Sequence, residues 1–354
     1  MDVGLDVTAM ISGTTGVARY AGELLARLPR HPDVEVHPFA IGRAIAPVPA
    51  GIRRIRVPLR VVHTSWRHLS GPSARSLVGP VDLVHAPDMV PPPGPTPAVV
   101  TIQDVLPLQL PEQYGARYRR IAADQARAAQ RGAAVVTSCE ATADAIVDAL
   151  GIPRDAITVA LIGPREPVAA PEPPPVEGPY LLGVGSLTPR KGLHLLAEAV
   201  GRLPPGSPPL LLAGPDGWDA ATVHAHLARL DLGSRVQLLG AVSDRQLDGL
   251  YRGALLLGHP SVAEGFGMPC LEAMRFGLPV VAADIPSVRE ICGGAAALVP
   301  PGDVDALAGA IARLLADPDA RAVAAAAGLE RAKAFDWDVM TDRIVARYRS
   351  LLAA

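Results

Sequence analysis

The feature that most constrains this 354-residue chain is an alternation of short, wholly apolar runs with helix-length amphipathic stretches, repeated in two series on either side of a proline-dense break. In the first series, Val3–Val7, Val34–Phe39, Val81–His85, Ala98–Ile102, Ala134–Thr137 and Ile157–Ala160 read as strands. Val17–Leu28, Glu112–Arg131 and Glu140–Leu150 read as helices. The second series has strands at Tyr180–Val184, Leu210–Ala213, Val236–Leu238, Ala254–Gly258, Val280–Ala282 and Ala296–Val299. Its helices are Leu193–Leu203, Ala220–Leu230, Asp244–Tyr251, Cys270–Phe276 and Val304–Leu315. Strands that are apolar throughout suit parallel sheets covered on both faces. Alternating βα units wind such strands into doubly wound sheets. The break, residues 163–179, holds too much proline for a helix or a central strand and reads as a stiff linker. The expected fold is therefore α/β, with two Rossmann-like doubly wound domains facing a cleft. Residues 1–162 form the first domain and 180–336 the second. Residues 337–354 form a terminal helix, capped by Asp336, that packs back toward the first domain. Ligands of open α/β sheets bind beyond the carboxyl ends of the strands.

Hydrophobic residues make up 49% of the chain and charged residues 19%, which excludes a disordered polyelectrolyte. A formal net charge of −2 supplies no overall field for nucleic acid, and none is expected as a partner. Cys139, Cys270 and Cys292 are too sparse and too far apart for a disulfide framework or a zinc site. They suit a reducing compartment. Met1–Asp6 lacks the basic start and apolar core of a signal peptide, and no apolar run approaches the roughly 20 residues of a membrane span. A cytoplasmic location is expected. Just two of the 33 basic residues are Lys, at 191 and 333. Where Arg is the default cation, a Lys draws attention, because a compact ammonium is not interchangeable with a guanidinium.

Ser261–Val281, SVAEGFGMPCLEAMRFGLPVV, is the most informative stretch. Gly265-Phe266-Gly267 makes a turn, Pro269 suits a first helical turn, and Gly277 with Pro279 ends the helix. Glu264 then lies in a loop and Glu272 just inside a helix whose amides point into that loop. A helix start beside glycines can hold a phosphate on backbone N–H groups. Two carboxylates beside it can accept hydrogen bonds from sugar hydroxyls, so the parts suit a sugar nucleotide.

This stretch resembles the signature of the retaining glycosyltransferases of family 4, which have the GT-B fold. Tyr180–Gly192 (YLLGVGSLTPRKG), Leu212–Trp218 (LAGPDGW) and Val236–Asp244 (VQLLGAVSD) resemble further landmarks of that family's C-terminal domain. Thr15–Tyr20 (TGVARY), Val81–Pro87 (VDLVHAP) and Val100–Pro107 (VTIQDVLP) resemble landmarks of its N-terminal domain, and all occur in the family's order. The resemblance implies a donor site in which Glu264 contacts the hexose hydroxyls and Glu272 holds the ribose. Gly265, Phe266, Gly267 and Met268 supply the loop whose amides meet the donor, and Lys191 neutralises the diphosphate. Gly16 belongs to a loop approaching the phosphates from the other domain, where glycine permits close approach or positive φ. Asp104 is carried over as a further catalytic residue.

Three positions depart from the family pattern. Ser186 stands where an Arg is common, and Arg190 is the candidate substitute. Gln103 replaces the His that commonly precedes the Asp at 104; Gln can donate a hydrogen bond but carries no charge and shuttles no proton. Ile162-Gly163 replaces the usual Asn-Gly. Asp303-Val304-Asp305, Asp317-Pro318-Asp319 and Asp336-Trp337-Asp338 each have the form of a metal-binding Asp-x-Asp. All three sit at expected helix starts, where Asp caps amides, so no metal site is assigned. Cys270 is read as a packed thiol.

From Val36 to Val81 there is no acidic residue, while Arg43, Arg53, Arg54, Arg56, Arg60, Arg67 and Arg75 fall in that window. It reads either as a solvated surface or as an acceptor-side face for an anionic acceptor or the inner face of a membrane, with Arg53, Arg54, Arg56 and Gln103 as its residues. The function implied is metal-independent retaining transfer of a hexose, GDP-mannose being the first donor expected, to the hydroxyl of an acceptor. That acceptor is a glycan, a lipid-linked molecule or a small molecule, and no cofactor beyond the nucleotide sugar is expected. The alternatives are a catalytically silent sugar-nucleotide-binding protein and a GT-B sugar-nucleotide epimerase.

Overall fold

The structure is a computed structural model in which residues 1–11, 16–42, 50–69, 71–87 and 89–353 are described. Thr15 of the TGVARY motif and Arg43 of the acid-free stretch lie outside these residues. The chain divides into two units, Met1–Gly163 with Asp336–Ala354, and Pro164–Phe335.

The first unit carries a seven-stranded parallel sheet: β1 (Asp2–Asp6), β2 (Glu35–Ile41), β3 (Arg53–Ile55), β4 (Leu83–Ala86), β5 (Ala98–Thr101), β6 (Ala134–Thr137) and β7 (Ile157–Val159). Their order is β3-β2-β1-β4-β5-β6-β7. The second carries a six-stranded parallel sheet: β8 (Leu181–Val184), β9 (Leu210–Ala213), β10 (Val236–Gly240), β11 (Leu256–His259), β12 (Val280–Ala283) and β13 (Ala297–Val299). Their order is β10-β9-β8-β11-β12-β13. Each sheet reverses its winding once, between β1 and β4 and between β8 and β11, so each has a crevice beyond the carboxyl ends of that strand pair. Every residue of β9, β11 and β12 is buried, as covering helices on both faces require.

Gly183 on β8 and Gly258 on β11 bring one of those helices close. A Cβ at Gly183 would lie 2.9 Å from Leu196 Cδ2, and one at Gly258 would lie 2.4 Å from Leu196 Cδ1. The missing side chains let Leu196, on the helix Leu193–Gly201, press onto the two central strands. The turn that precedes this helix is thereby held at the carboxyl edge of the sheet.

The terminal helix, Trp337–Ala353, is capped by Asp336, whose Oδ1 accepts from the amides of Asp338 (2.6 Å) and Val339 (3.1 Å). It packs into the first unit through a buried polar chain. Tyr348 Oη lies 2.6 Å from His85 Nδ1, and His85 Nε2 lies 2.7 Å from Thr101 Oγ1, which in turn is 3.2 Å from Tyr20 Oη. Burial pushes the His85 pKa down to about 3, so the imidazole is neutral, with one nitrogen donating and the other accepting. At Gly163 a Cβ would stand 2.6 Å from Trp337 Cδ1, so a side chain there has no room.

Residues 164–179 lie along the second unit. Arg165 is hydrogen-bonded to Asp248, the Val168 amide donates to Asp248 Oδ2 at 2.6 Å, and the Glu172 amide donates to the Arg245 carbonyl at 3.0 Å. Both acceptors sit on the helix Asp244–Gly253. The expected helix Glu112–Arg131 is shorter: a single 3₁₀ turn at Pro111–Gln113 precedes extended Tyr114 and Gly115, and the helix proper is Ala116–Gln130. The helices Leu59–His68, Ala74–Val78 and Pro286–Cys292 were not expected from the pattern. Among the described residues, no helix is long and apolar enough to cross a membrane.

The strapping of residues 164–179 depends on Gly249, where a Cβ would fall 1.7 Å from the Glu172 carbonyl oxygen. Gly249→Ala is expected to lower stability in urea titrations by about 1–3 kcal/mol, the usual cost of overpacking, and to speed proteolysis within 164–179. Wild-type stability and cleavage would show that the strap is not held there.

Candidate active site

The site is built from the two loops that follow β8 and β11, the strands on either side of the second sheet's reversal. After β8 the chain passes Ser186, makes a 3₁₀ turn at Pro189–Lys191 and enters the helix Leu193–Gly201 through Gly192 in the left-handed region, at φ 65° and ψ 15°. A Cβ on Gly192 would lie 2.5 Å from the Pro260 carbonyl oxygen. Glycine is required there twice over, for its conformation and for the approach of the second loop.

That approach is sealed by hydrogen bonds. The Val262 amide donates to the Arg190 carbonyl at 2.9 Å, and Ser261 Oγ donates to the same carbonyl at 3.2 Å. Arg190 Nη1 donates to the Ala263 carbonyl (2.7 Å) and to Glu264 Oε2 (3.3 Å). Lys191 Nζ donates to Glu264 Oε1 at 2.5 Å, and His259 Nε2 is 3.5 Å from the same oxygen. The Glu264 side chain is 8% exposed and Lys191 15%. Burial by itself raises the Glu264 pKa, but Lys191, His259 and Arg190 together outweigh it and hold the carboxyl well below its ordinary range.

Downstream, Ser287 Oγ donates to the Glu264 carbonyl at 2.9 Å. Phe266 turns inward and meets Phe335 edge-on, with ring centroids 6.0 Å apart. Gly267, at φ 116°, opens the helix Met268–Arg275, of which Met268 is the first residue. Glu272 lies in the middle of that helix and is buried. Its Oε2 accepts from Tyr251 Oη at 3.0 Å, and its Oε1 is 3.9 Å from Arg165 Nε. Tyr251 is fully buried and stacked on Phe276; burial first, then the Glu272 charge, pushes its pKa well up and keeps the phenol a donor.

The structure thus brings Lys191, Arg190 and Glu264 into one cluster and places Glu272 in a second, with Tyr251 and Arg165. Ser186 is half-buried, and its side chain closes on Gly217, where a Cβ would lie 3.2 Å from Ser186 Cβ. It is Arg190, four residues on, that adds a second cation beside Glu264. His259, Tyr251, Arg165 and Ser287 had no sequence signal. His259 ends an apolar strand, and the partners of the other three lie far away in sequence.

The remaining candidate residues belong to the first unit. Asp104 Oδ1 accepts from the Leu106 amide at 3.0 Å, just ahead of the short helix Leu106–Gln109. The Gln103 amide nitrogen is buried without a hydrogen-bond partner among the described residues. Gly16 begins the helix Gly16–Arg27 without a positive φ, and no described atom lies within 4 Å of a Cβ placed there. Of the two reasons for a glycine here, conformation is therefore removed. Arg53 and Arg54 lie on β3, opposite Phe39 and Ala40 of β2, with Arg53 exposed and Arg54 half-buried; Arg56 is exposed beyond the strand end.

The three Asp-x-Asp sequences are caps. Asp303 Oδ1 accepts from the Ala306 amide at 2.8 Å, Asp317 Oδ1 from that of Ala320 at 2.9 Å, and Asp336 as described above. Cys270 is buried beside Cys292, and burial pushes its thiol pKa well up, so it is a packed group.

Comparison with known proteins adds to this geometry. The Glycosyltransferase Family 4 model matches residues 14–162, and the Glycosyl transferases group 1 model matches residues 165–331. O-antigen chain mannosyltransferase B of Escherichia coli is 37% identical over 175 residues, which is 49% of this chain and 46% of that protein. The chain spans about half the length of the curated relatives it matches. Among solved structures, sucrose-phosphate synthase from Thermosynechococcus elongatus superposes with a TM-score of 0.76 at 20% identity, covering 100% of this chain and 99% of that one. HepE from Anabaena, in complex with UDP-glucose, gives 0.72 at 22% identity, covering 99% and 100%. At these identities the structural likeness concerns the fold.

The depressed Glu264 pKa gives a pH test. A carboxyl whose folded pKa lies below its unfolded one adds stability above the unfolded value, near 4.5, and loses it as pH falls toward the folded value. Lys191→Met raises the folded pKa and shrinks that gain. The variant is expected to be less stable than wild type by about 1.5–3 kcal/mol at neutral pH, the scale of a charged hydrogen bond. The gap should narrow as urea titrations are moved below the unfolded pKa of the carboxyl. A gap that is constant with pH would show that Glu264 does not depend on Lys191.

Proposed function

The chain belongs to the family 4 glycosyltransferases, with the GT-B fold, and we propose that it is a retaining hexosyltransferase that draws on a nucleotide diphosphate sugar. The observation that carries this reading is the Lys191–Glu264 contact of 2.5 Å at the carboxyl edge of the second sheet, beside its point of reversal. A donor diphosphate that takes the Lys191 ammonium frees the Glu264 carboxylate to accept from hexose hydroxyls. The backbone at Gly265–Met268 offers amides to the same phosphates. Glu272, braced by Tyr251 and Arg165, is the acceptor for the ribose hydroxyls. Negative charge grows on the leaving diphosphate in the transition state, and a fixed cation with preorganised amides lowers that barrier.

Retention rests on the family resemblance in this reading, and the electrostatics bear on its route. A carboxylate stabilised by Lys191, Arg190 and His259 is a weak nucleophile, which disfavours a covalent intermediate on Glu264. Attack from the face the phosphate leaves, with that phosphate taking the acceptor proton, fits the cluster better. Gln103 and Asp104, beyond the carboxyl end of β5, are the acceptor-side groups. The three Asp-x-Asp sequences cap helices and are assigned to no ion, and transfer without a divalent ion is part of this proposal. GDP-mannose is the first donor, on the similarity to a mannosyltransferase and the LTPRKG and VTIQD sequences; UDP-glucose is the comparison donor. The cytoplasm is the expected location, which suits three cysteines that form no disulfide.

Donor turnover tests the reading. In a panel of nucleotide sugars with EDTA present, release of nucleoside diphosphate is expected, fastest with GDP-mannose. Lys191→Ala should lower kcat/KM by about 10²-fold or more, and Lys191→Arg should not fully restore it. Binding of nucleotide sugars without any turnover would favour a silent binding protein. Absolute dependence on Mn²⁺ or Mg²⁺ would contradict the metal-free mechanism.

A further inference from the structure

The carboxyl edge of the first sheet holds a second feature, made of residues the mechanism above does not use. The chain just after β1 and β2, the start of the helix Leu59–His68 and the start of the helix Ala116–Gln130 border an open pocket of about 530 Å³, on which Arg60, Arg117 and Arg120 are exposed. Four arginines line it, Arg60, Arg67, Arg117 and Arg120, and among the described residues no acidic side chain does. Arg67 is neutralised by Asp124, to which its Nη2 donates at 2.7 and 2.6 Å. Asp124 is itself shared with Arg127. Arg60, Arg117 and Arg120 form no ion pair with a described residue, so the wall carries three uncompensated guanidinium groups.

His63 lies on the same wall and is 7% exposed. Its ring stacks on Trp66, and its Nε2 is buried without a hydrogen-bond partner among the described residues. Burial, with help from the Arg67 and Arg117 charges, brings its pKa down to about 4, so it adds a neutral polar group. The ring therefore adds no charge to the wall, and the arginines set its electrostatics.

Charge selects the ligand. A carboxylate would offset one of the three free guanidinium groups. A phosphomonoester carries about −1.5 to −2 and presents three acceptor oxygens. A diphosphate carries more of both, and the forked guanidinium matches phosphate oxygens in pairs. We propose that this cavity is an anion site that holds the phosphate or diphosphate of a phosphorylated acceptor, with Arg60, Arg117 and Arg120 as its cations. That the ligand is an acceptor rests on the transferase reading; the anion site does not. The acid-free stretch is thus used through Arg60, while Arg53, Arg54 and Arg56 are not part of the cavity wall.

Inorganic pyrophosphate is the probe, titrated calorimetrically into the full chain, with GDP and UDP titrated separately. Arg117→Gln with Arg120→Gln is expected to weaken pyrophosphate binding at least tenfold and to flatten its salt dependence, while nucleotide binding changes less than twofold. The double Lys variant at these positions should recover part of the affinity, and Arg60→Gln alone should show a smaller loss in the same direction. Unchanged pyrophosphate affinity, or loss of pyrophosphate and nucleotide binding together, would overturn the site. So would capture of the protein by anionic phospholipid vesicles with no pyrophosphate binding, which would assign the arginines to a membrane surface. Intact pyrophosphate binding in a protein that binds no nucleotide would uphold the anion site and count against the donor reading.

Discussion

The close approach of two loop backbones, Gly192 to Pro260, is the constraint on which the rest of the C-terminal site depends. Without a side chain at 192 the turn carrying Arg190 and Lys191 can dock on the loop carrying Glu264, and the Val262 and Ser261 hydrogen bonds to the Arg190 carbonyl fix its register. Three basic groups then converge on one carboxylate that is largely removed from water. Burial of a charge is costly unless it is paired, and here the pairing outweighs the burial. The cost of separating these groups is also what makes the arrangement selective. A ligand that draws Lys191 away must supply negative charge to the ammonium and hydroxyl donors to the carboxylate, and a nucleotide sugar supplies both.

Both units follow the same plan, with a parallel sheet that reverses once and its polar chemistry gathered at the carboxyl edge. They differ in how that chemistry is balanced. In the second unit every cation of the cluster has a carboxylate partner, Lys191 and Arg190 sharing Glu264, and Glu272 is met by Tyr251 and Arg165. In the first unit the cations around the cavity outnumber their partners. A balanced cluster responds to a ligand by exchanging contacts. An unbalanced one responds to charge itself, and its binding is correspondingly sensitive to salt.

The fold was legible because it rests on periodicity. Wholly apolar runs mark parallel strands wherever they occur, and Glu140–Leu150 and Ala220–Leu230 match the observed helices to the residue. The helix Leu59–His68 was not legible, because Val62, His63 and Trp66 form its buried side and a histidine does not read as apolar. The proline-dense segment was legible as neither helix nor strand, but its attachment to Asp248 and Gly249 joins residues far apart in the chain, and no local pattern reports that. The same limit holds at the site. Glu264, Glu272 and Lys191 stand out through local sequence. Tyr251, His259 and Arg165 matter only through where the chain folds them.

Competition between Glu264 and a donor diphosphate for Lys191 is central to the proposed mechanism. Calorimetric titration of GDP, which has a diphosphate but no hexose, into wild type and Glu264→Gln tests it directly. With the competing carboxylate neutralised and no hexose contact to lose, Glu264→Gln should bind GDP several-fold more tightly than wild type. Equal or weaker binding by the variant would show that the diphosphate does not displace Glu264 from Lys191, and would contradict that mechanism.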